Sequence, residues 1–304
     1  MASYKLASYK ASDGSARAGM VIGDTVYDLG AEAAAAGAAG FDGSRVQGVL
    51  ENWPAAGPAL RAISDNPDGS VSETLSETRL LAPVPRPSAI YCAGANYWDH
   101  AAEMGNTSIK KDEIEPFFFI KSGSVVIGPG DDIRLSPTYS EKYDYEVEIA
   151  LFIGKEGRHI PVDDAMDHVA GYTIMNDLSA RERGKRDDWP FGMDWVRHKS
   201  FECSAPMGPW IVPADDIADV HDLSMKTTVS GDVRQDSSSQ KMIFRIPEQI
   251  AALSAQMTLY PGDIIATGTC AGVAAASGKF LNPGEHIVME VEGIGTLENS
   301  LVAE

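Results

Sequence analysis

Residues 143–153 read YDYEVEIALFI, and the alternation in this stretch decides the fold reading. In an extended chain, Tyr143, Tyr145, Val147, Ile149, Leu151 and Ile153 share one face, while Asp144, Glu146, Glu148, Ala150 and Phe152 share the other. The second face passes from carboxylates to Ala150 and Phe152 within a few residues, so it becomes buried just beyond Glu148. Glu146 and Glu148 are same-face neighbours at that edge. Carboxylates placed there repel each other and lose hydration, a cost that a cation offsets. An isolated Glu-x-Glu also describes the wet face of a half-solvated strand; the apolar continuation argues against it.

Strand-like runs recur on both sides of this stretch. AIYCAG from 89, FFFIK from 117, VAGYTIMND from 169, LSMKTTVS from 223, DIIAT from 263 and HIVMEVEG from 286 all carry β-branched or aromatic residues between turn signals. One helix stands out, beginning near Pro247 and running through EQIAALSAQM, where Ile250, Leu253 and Met257 share a face. Toward the N-terminus, short strands broken at Asp13-Gly14 and Gly23-Asp24 precede an Ala/Gly tract and a helical spacing at Val46, Val49 and Leu50. The segment APVPRP, with Pro83, Pro85 and Pro87, is a stiff connector that places a domain boundary after residue 82. The expectation is an α+β, β-dominated protein with a small N-terminal α/β domain over 1–82 and a catalytic domain over 83–304.

Asp177 closes the run VAGYTIMND just before SARER, where a strand meets a loop. On its own it reads more often as an N-cap or turn residue. With Glu146 and Glu148 it forms an all-oxygen set without His or Cys, which favours hard cations such as Mg²⁺, Mn²⁺ or Ca²⁺. The chain has 304 residues, 25 basic and 44 acidic, for a net charge of −19. That balance repels phosphate backbones and anionic bilayers, so neither nucleic acid nor a membrane is an expected partner. Three cysteines, Cys92, Cys203 and Cys270, are too few and too dispersed for a disulfide framework. The opening MASYKLASYKASDG lacks an apolar signal-like core, and a cytoplasmic location is expected.

The blocks GANYWDHAAEMG at 94–105, PFFFIK at 116, DYEVEIALFIGK at 144, GYTIMNDLSARE at 171, HKSF at 198, SSSQKMIF at 237 and PGDIIATGTCAGV at 261, in this order, resemble the fumarylacetoacetate hydrolase family from about residue 80 onward. The resemblance implies a mixed β-sandwich roll for the catalytic domain, assembled as a homodimer. It implies Glu146, Glu148 and Asp177 as metal ligands and His100 with Glu103 as a water-activating pair. Their spacing of three puts the pair within reach on a helical turn. Lys199 takes a catalytic role and Arg181 a substrate contact, answering the need for local positive charge. Thr269 would receive a substrate carboxylate, with Lys121 at the edge of the site and Tyr97 in its wall.

The chain departs from the family pattern at Gly184, where many members carry glutamine, at Ser122 after Lys121, and at Cys270 in TGTC. The stretch GKRDDWPFGMDW, with Trp189, Phe191 and Trp195, is a candidate for a distinct pocket wall or a packed loop. The function expected first is metal-dependent C–C hydrolysis of a 2,4-dioxo acid through an enolate. Decarboxylation or isomerisation of a 2-oxo diacid is the alternative within the family. A catalytically silent metal- or ligand-binding protein is the alternative of another class.

Overall fold

The computed structural model describes residues 3–304. Its centre is the strand Val147–Ile153, antiparallel both to Val169–Asn176 and to Ile264–Thr269 within a 12-stranded sheet. On one side the sheet continues through Ala205–Pro213 to Lys5–Lys10, joined at Leu6↔Ile211, and then to Ala16–Ile22, Thr25–Asp28 and Ser72–Thr74. On the other side Ile264–Thr269 pairs in parallel with Ile90–Ala93, and Phe118–Lys121 forms the edge. A second, five-stranded sheet runs in the order Asp232–Ser238, Ser224–Val229, His286–Val291, Gly295–Ala303, Ile133–Leu135. This is the strand-rich α+β architecture expected.

Both faces of the central strand are buried, each for its own reason. Val147, Ile149, Leu151 and Ile153 enter one core with Met225, Ile250, Ile287 and Leu297, which come from the second sheet and the helix Ile246–Gln256. Ala150 and Phe152 enter another with Val49, Leu50 and Leu60 from the N-terminal helices Val46–Leu50 and Trp53–Asp65. The sheet is thus covered on both sides, and Glu148, Asp177 and Lys121, its buried charged side chains near the site, stand at or beside strand ends. The helix Ile246–Gln256 starts with Pro247 in its first turn, and Glu248 accepts from the Arg245 backbone N–H at 2.7 Å.

Two local departures from the sequence reading matter. YDYEVEIALFI is not one strand: Tyr143–Asp144 pairs with Ser179–Ala180, and the ladder resumes only at Val147. The break follows from side chains that capture backbone donors, Asp144 taking Tyr145 N at 2.8 Å and Asn176 taking Glu146 N at 3.2 Å. The strand Ala205–Pro213, central in the sheet, was not anticipated, because Pro206, Pro209 and Pro213 read as breakers. Its register with Val169–Asn176 shifts between Tyr172 and Ile174, an irregularity that accommodates residues without an N–H.

Candidate active site

The carboxylates converge where three adjacent strands terminate. Glu148 lies opposite Met175 on one side and Thr269 on the other, so Asp177 follows one neighbouring strand and Thr269 ends the second. Asp177 N donates to Glu146 O at 2.9 Å, which ties the third carboxylate to the first. Oxygen atoms of Glu146, Glu148 and Asp177 all lie within 4.8 Å of one another, and all three residues are buried.

Cations are distributed unevenly over this group. Lys199 Nζ sits 2.6 Å from both Glu146 Oε2 and Asp177 Oδ2, and Lys121 Nζ lies 2.7 Å from Asp177 Oδ1. Arg181 donates from Nη2 to Glu146 and from Nε to Asp144 Oδ2 at 2.7 Å. Among the described residues Glu148 has no such partner, only the Gly268 backbone N–H at 2.9 Å on Oε2. Gly268 is required there: it has φ +94°, and a Cβ would stand 2.8 Å from Asn96 Cβ.

The electrostatic consequences diverge. Burial, then the Asp177 and Glu146 carboxylates, push Glu148 well above the usual carboxyl range. Burial also raises Glu146, but Lys199, Arg181 and His100 outweigh it and hold its carboxyl well below that range. Burial lowers Lys199, and Asp177 with Glu146 more than restore it, so its ammonium is secured. Glu148 is therefore a buried carboxylate lacking a counter-charge, beside two others, in an all-oxygen donor set. These residues fit a divalent cation.

A raised carboxyl adds stability below the ordinary carboxyl range and loses it as pH rises toward its folded value; the depressed Glu146 does the opposite, losing stability only as pH falls. A cation must displace the proton on Glu148. The thermal stabilisation given by Mn²⁺ is accordingly expected to be greater at about pH 8 than at about pH 5, with proton release on binding measurable by calorimetry in buffers of different ionisation enthalpy. A pH-independent stabilisation without proton release would remove Glu148 from the ligand set.

Across the cleft, His100 lies on the helix Trp98–Glu103, and its Nδ1 is 2.7 Å from Glu103 Oε1. Glu103 Oε2 accepts from Gly272 N at 2.8 Å, so the carboxylate that orients the ring is itself fixed. Gly272 permits this approach, since a Cβ there would stand 2.1 Å from Arg234 O. The loop before the helix is pinned by Asn96, which donates to Phe244 O and Thr267 O and accepts from Phe244 N. The cleft between the dyad and the carboxylates holds about 290 Å³, the scale of a small organic acid.

The structure brings His100, Glu146, Glu148, Asp177, Arg181, Lys199 and Thr269 to this cleft. Thr269 already donates its hydroxyl proton to Val147 O and accepts from Gln235 Nε2, both at 2.9 Å. Lys121, expected at the edge, is fully buried beneath Asp177, where it also donates to Leu178 O. Tyr97, expected in the wall, is buried behind the site with its hydroxyl on Met225 Sδ at 3.3 Å, because the strand-to-helix turn directs it into the core. The wall consists instead of Phe119, Met193 and Trp195, with Trp195 stacked on Phe119 at 5.0 Å. Trp189 and Phe191 of the same loop stay largely exposed.

Sequence reasoning passed over two residues. Asp144 holds Arg181 and accepts from Ala274 N and Ala275 N; its signal was its place on the same strand face as Glu146 and Glu148. His198 lines the cleft beside Lys199, and its signal was its place at the head of the block HKSF.

The fumarylacetoacetate (FAA) hydrolase C-terminal family model matches residues 89–302. The chain belongs to the fumarylacetoacetate hydrolase family. Among family relatives, the oxaloacetate tautomerase of Bacillus subtilis (strain 168) is 44% identical over 236 residues, covering 77% of this chain and 76% of that one. A mitochondrial oxaloacetate tautomerase of Bos taurus is 42% identical over 232 residues, covering 75% and 70%. The solved maleylpyruvate hydrolase of Sphingobium sp. SYK-6, a complex with manganese(II) and pyruvate, is 30% identical with a TM-score of 0.77 over 98% of this chain and 99% of that one. The family is one of enzymes, and these relatives favour the isomerase alternative over the hydrolysis expected first. Among the described residues, no helix is long and apolar enough to cross a membrane.

Proposed function

We propose that this enzyme interconverts the keto and enol forms of a four-carbon 2-oxo diacid of the oxaloacetate type. The observation that carries the reading is the His100–Glu103 pair, fixed by Gly272 N and facing the three carboxylates across a small cleft. Keto–enol exchange needs a proton moved at C3 while negative charge builds on the C2 oxygen. His100, its Nδ1 tied to Glu103, takes the C3 proton through its other nitrogen while the C2 oxygen takes up a proton from solvent to give the enol, and both transfers run backwards in the reverse direction. Lys199, protonated between Glu146 and Asp177, offers fixed positive charge to the enolate. Arg181, held by Asp144 and Glu146, orients the carboxylate end. Phe119 and Trp195 exclude water from the reacting carbon. Mg²⁺ or Mn²⁺ held by Glu146, Glu148 and Asp177 would supply Lewis-acid polarisation of the 2-oxo group.

A second reading, hydrolysis of an acylpyruvate such as maleylpyruvate, is favoured by the whole-chain likeness to the maleylpyruvate hydrolase. There His100 would take its proton from water instead. One assay set separates the two. With saturating Mg²⁺ or Mn²⁺, enol absorbance of oxaloacetate should relax faster than CO₂ is released and faster than acylpyruvates are cleaved. Cleavage outpacing enol relaxation would overturn the tautomerase reading. Assembly as a homodimer belongs to the same proposal, checked by light scattering on the eluted protein.

A further inference from the structure

His198 lies in the cleft wall, only 6% exposed, yet no hydrogen bond among the described residues ends on either ring nitrogen. Its backbone is committed, donating to Asp194 O at 3.0 Å within the short helix Trp195–Lys199. The ring meets Trp195 edge-on, with centroids 5.8 Å apart and planes at 87°. A buried polar ring without a partner is costly, so its place needs a reason.

The reason lies partly in Gly184. A Cβ at that position would stand 2.5 Å from His198 Nδ1 and 2.9 Å from its Cγ, so the imidazole packs directly on the Gly184 backbone. This is the position where the chain departs from the family pattern, and the ring fills the space left open. Nδ1 is sealed there without a partner. A sealed N–H is worse than a sealed lone pair, so the proton sits on Nε2, the one nitrogen able to meet a ligand. Burial, reinforced by Lys199 and Arg181, lowers the ring's pKa to about 3, so it is neutral. It offers a directed donor without adding to the positive charge already supplied by those two residues.

Its surroundings indicate which part of a ligand it serves. The carboxylates, Lys199 and Arg181 address the charged 2-oxo acid core, whereas Phe119, Met193 and Trp195 form an apolar box in which His198 is a polar member. We propose that His198 is a specificity-determining residue that donates from Nε2 to an oxygen on the distal arm of the substrate, selecting a diacid over a monoacid of the same core. The inference rests on the 2-oxo diacid reading for the identity of the core.

The test uses the Mn²⁺-loaded protein and two unreactive ligands sharing a 2-hydroxy acid core, malate with a distal carboxylate and lactate without one. Calorimetry should show His198→Phe weakening malate about tenfold, the loss of one hydrogen bond, while lactate and Mn²⁺ affinities stay within about twofold. His198→Gln, which keeps a donor, should recover most of the malate affinity. Gly184→Ala should displace the ring and weaken malate similarly, with no further effect when His198 is already Phe. If His198→Phe does not fold, Gly184→Ala alone carries the test.

Equal weakening of malate and lactate, no weakening of malate, failure of His198→Gln to recover it, or additive effects of the two positions would each overturn the assignment. Because neither ligand turns over, the result is independent of the reaction. A wild-type protein inactive on oxaloacetate would sink the tautomerase reading while leaving the His198 result to stand or fall by itself.

Discussion

Glu148→Gln is expected to abolish turnover and lower Mn²⁺ affinity by roughly 100-fold or more, while the metal-free protein melts at a higher temperature than wild type. The two halves of this result have one cause. Lys199, Lys121 and Arg181 pair with Glu146, Asp177 and Asp144, and among the described residues Glu148 is left with the Gly268 N–H alone. Burial beside Asp177 and Glu146 makes the empty site costly to fold at neutral pH, because the Glu148 carboxyl must take up a proton that the unfolded chain does not bind, and a cation answers the charge once that proton leaves. The neutral amide keeps the shape and removes both effects. Differential scanning calorimetry with and without Mn²⁺ checks it: the metal-free curve should shift up and the metal-induced increment should disappear. A variant with wild-type metal affinity would show that Glu148 is not a ligand.

The same residue explains why part of this site was legible in the sequence. Glu148 sits where one strand face turns from carboxylate to Ala150 and Phe152, and that local pattern survives into the structure as two separate cores. Asp144 shows where local reading stops. It lies four residues earlier in the same alternation, but its function is set by Arg181 and the backbone at 274–275, separations that no periodicity encodes. His198 is more remote still, since its meaning depends on the missing side chain at Gly184. Ala205–Pro213 was hidden for the opposite reason: Pro206, Pro209 and Pro213 carry a strong local signal that tertiary pairing overrides. Strands with clear β-branched patterns, such as His286–Val291, needed no such context.

His100→Ala is expected to slow keto–enol interconversion of oxaloacetate by roughly 10²–10⁴-fold, the usual contribution of a positioned general base. The ring is not among the carboxylate oxygens that converge on the cation site, so Mn²⁺ affinity should stay within about twofold of wild type. Glu103→Gln should cause a smaller loss, because the amide can still hold Nδ1 and Gly272 N but no longer balances a charged imidazole. Cleavage of an acylpyruvate should fall together with tautomerisation in His100→Ala, since both require a proton acceptor at that place. Decarboxylation of oxaloacetate differs: loss of CO₂ removes no proton at C3, and Lys199 and the cation-binding carboxylates are untouched. That rate should persist, so the ratio of CO₂ release to enol relaxation should rise steeply in the variant. Both are to be followed on one preparation at saturating Mn²⁺, by enol absorbance and by coupled CO₂ detection. Undiminished enol relaxation would remove His100 from the proton path, whereas loss of both rates with intact metal affinity would mean that the imidazole positions the substrate rather than moving its proton.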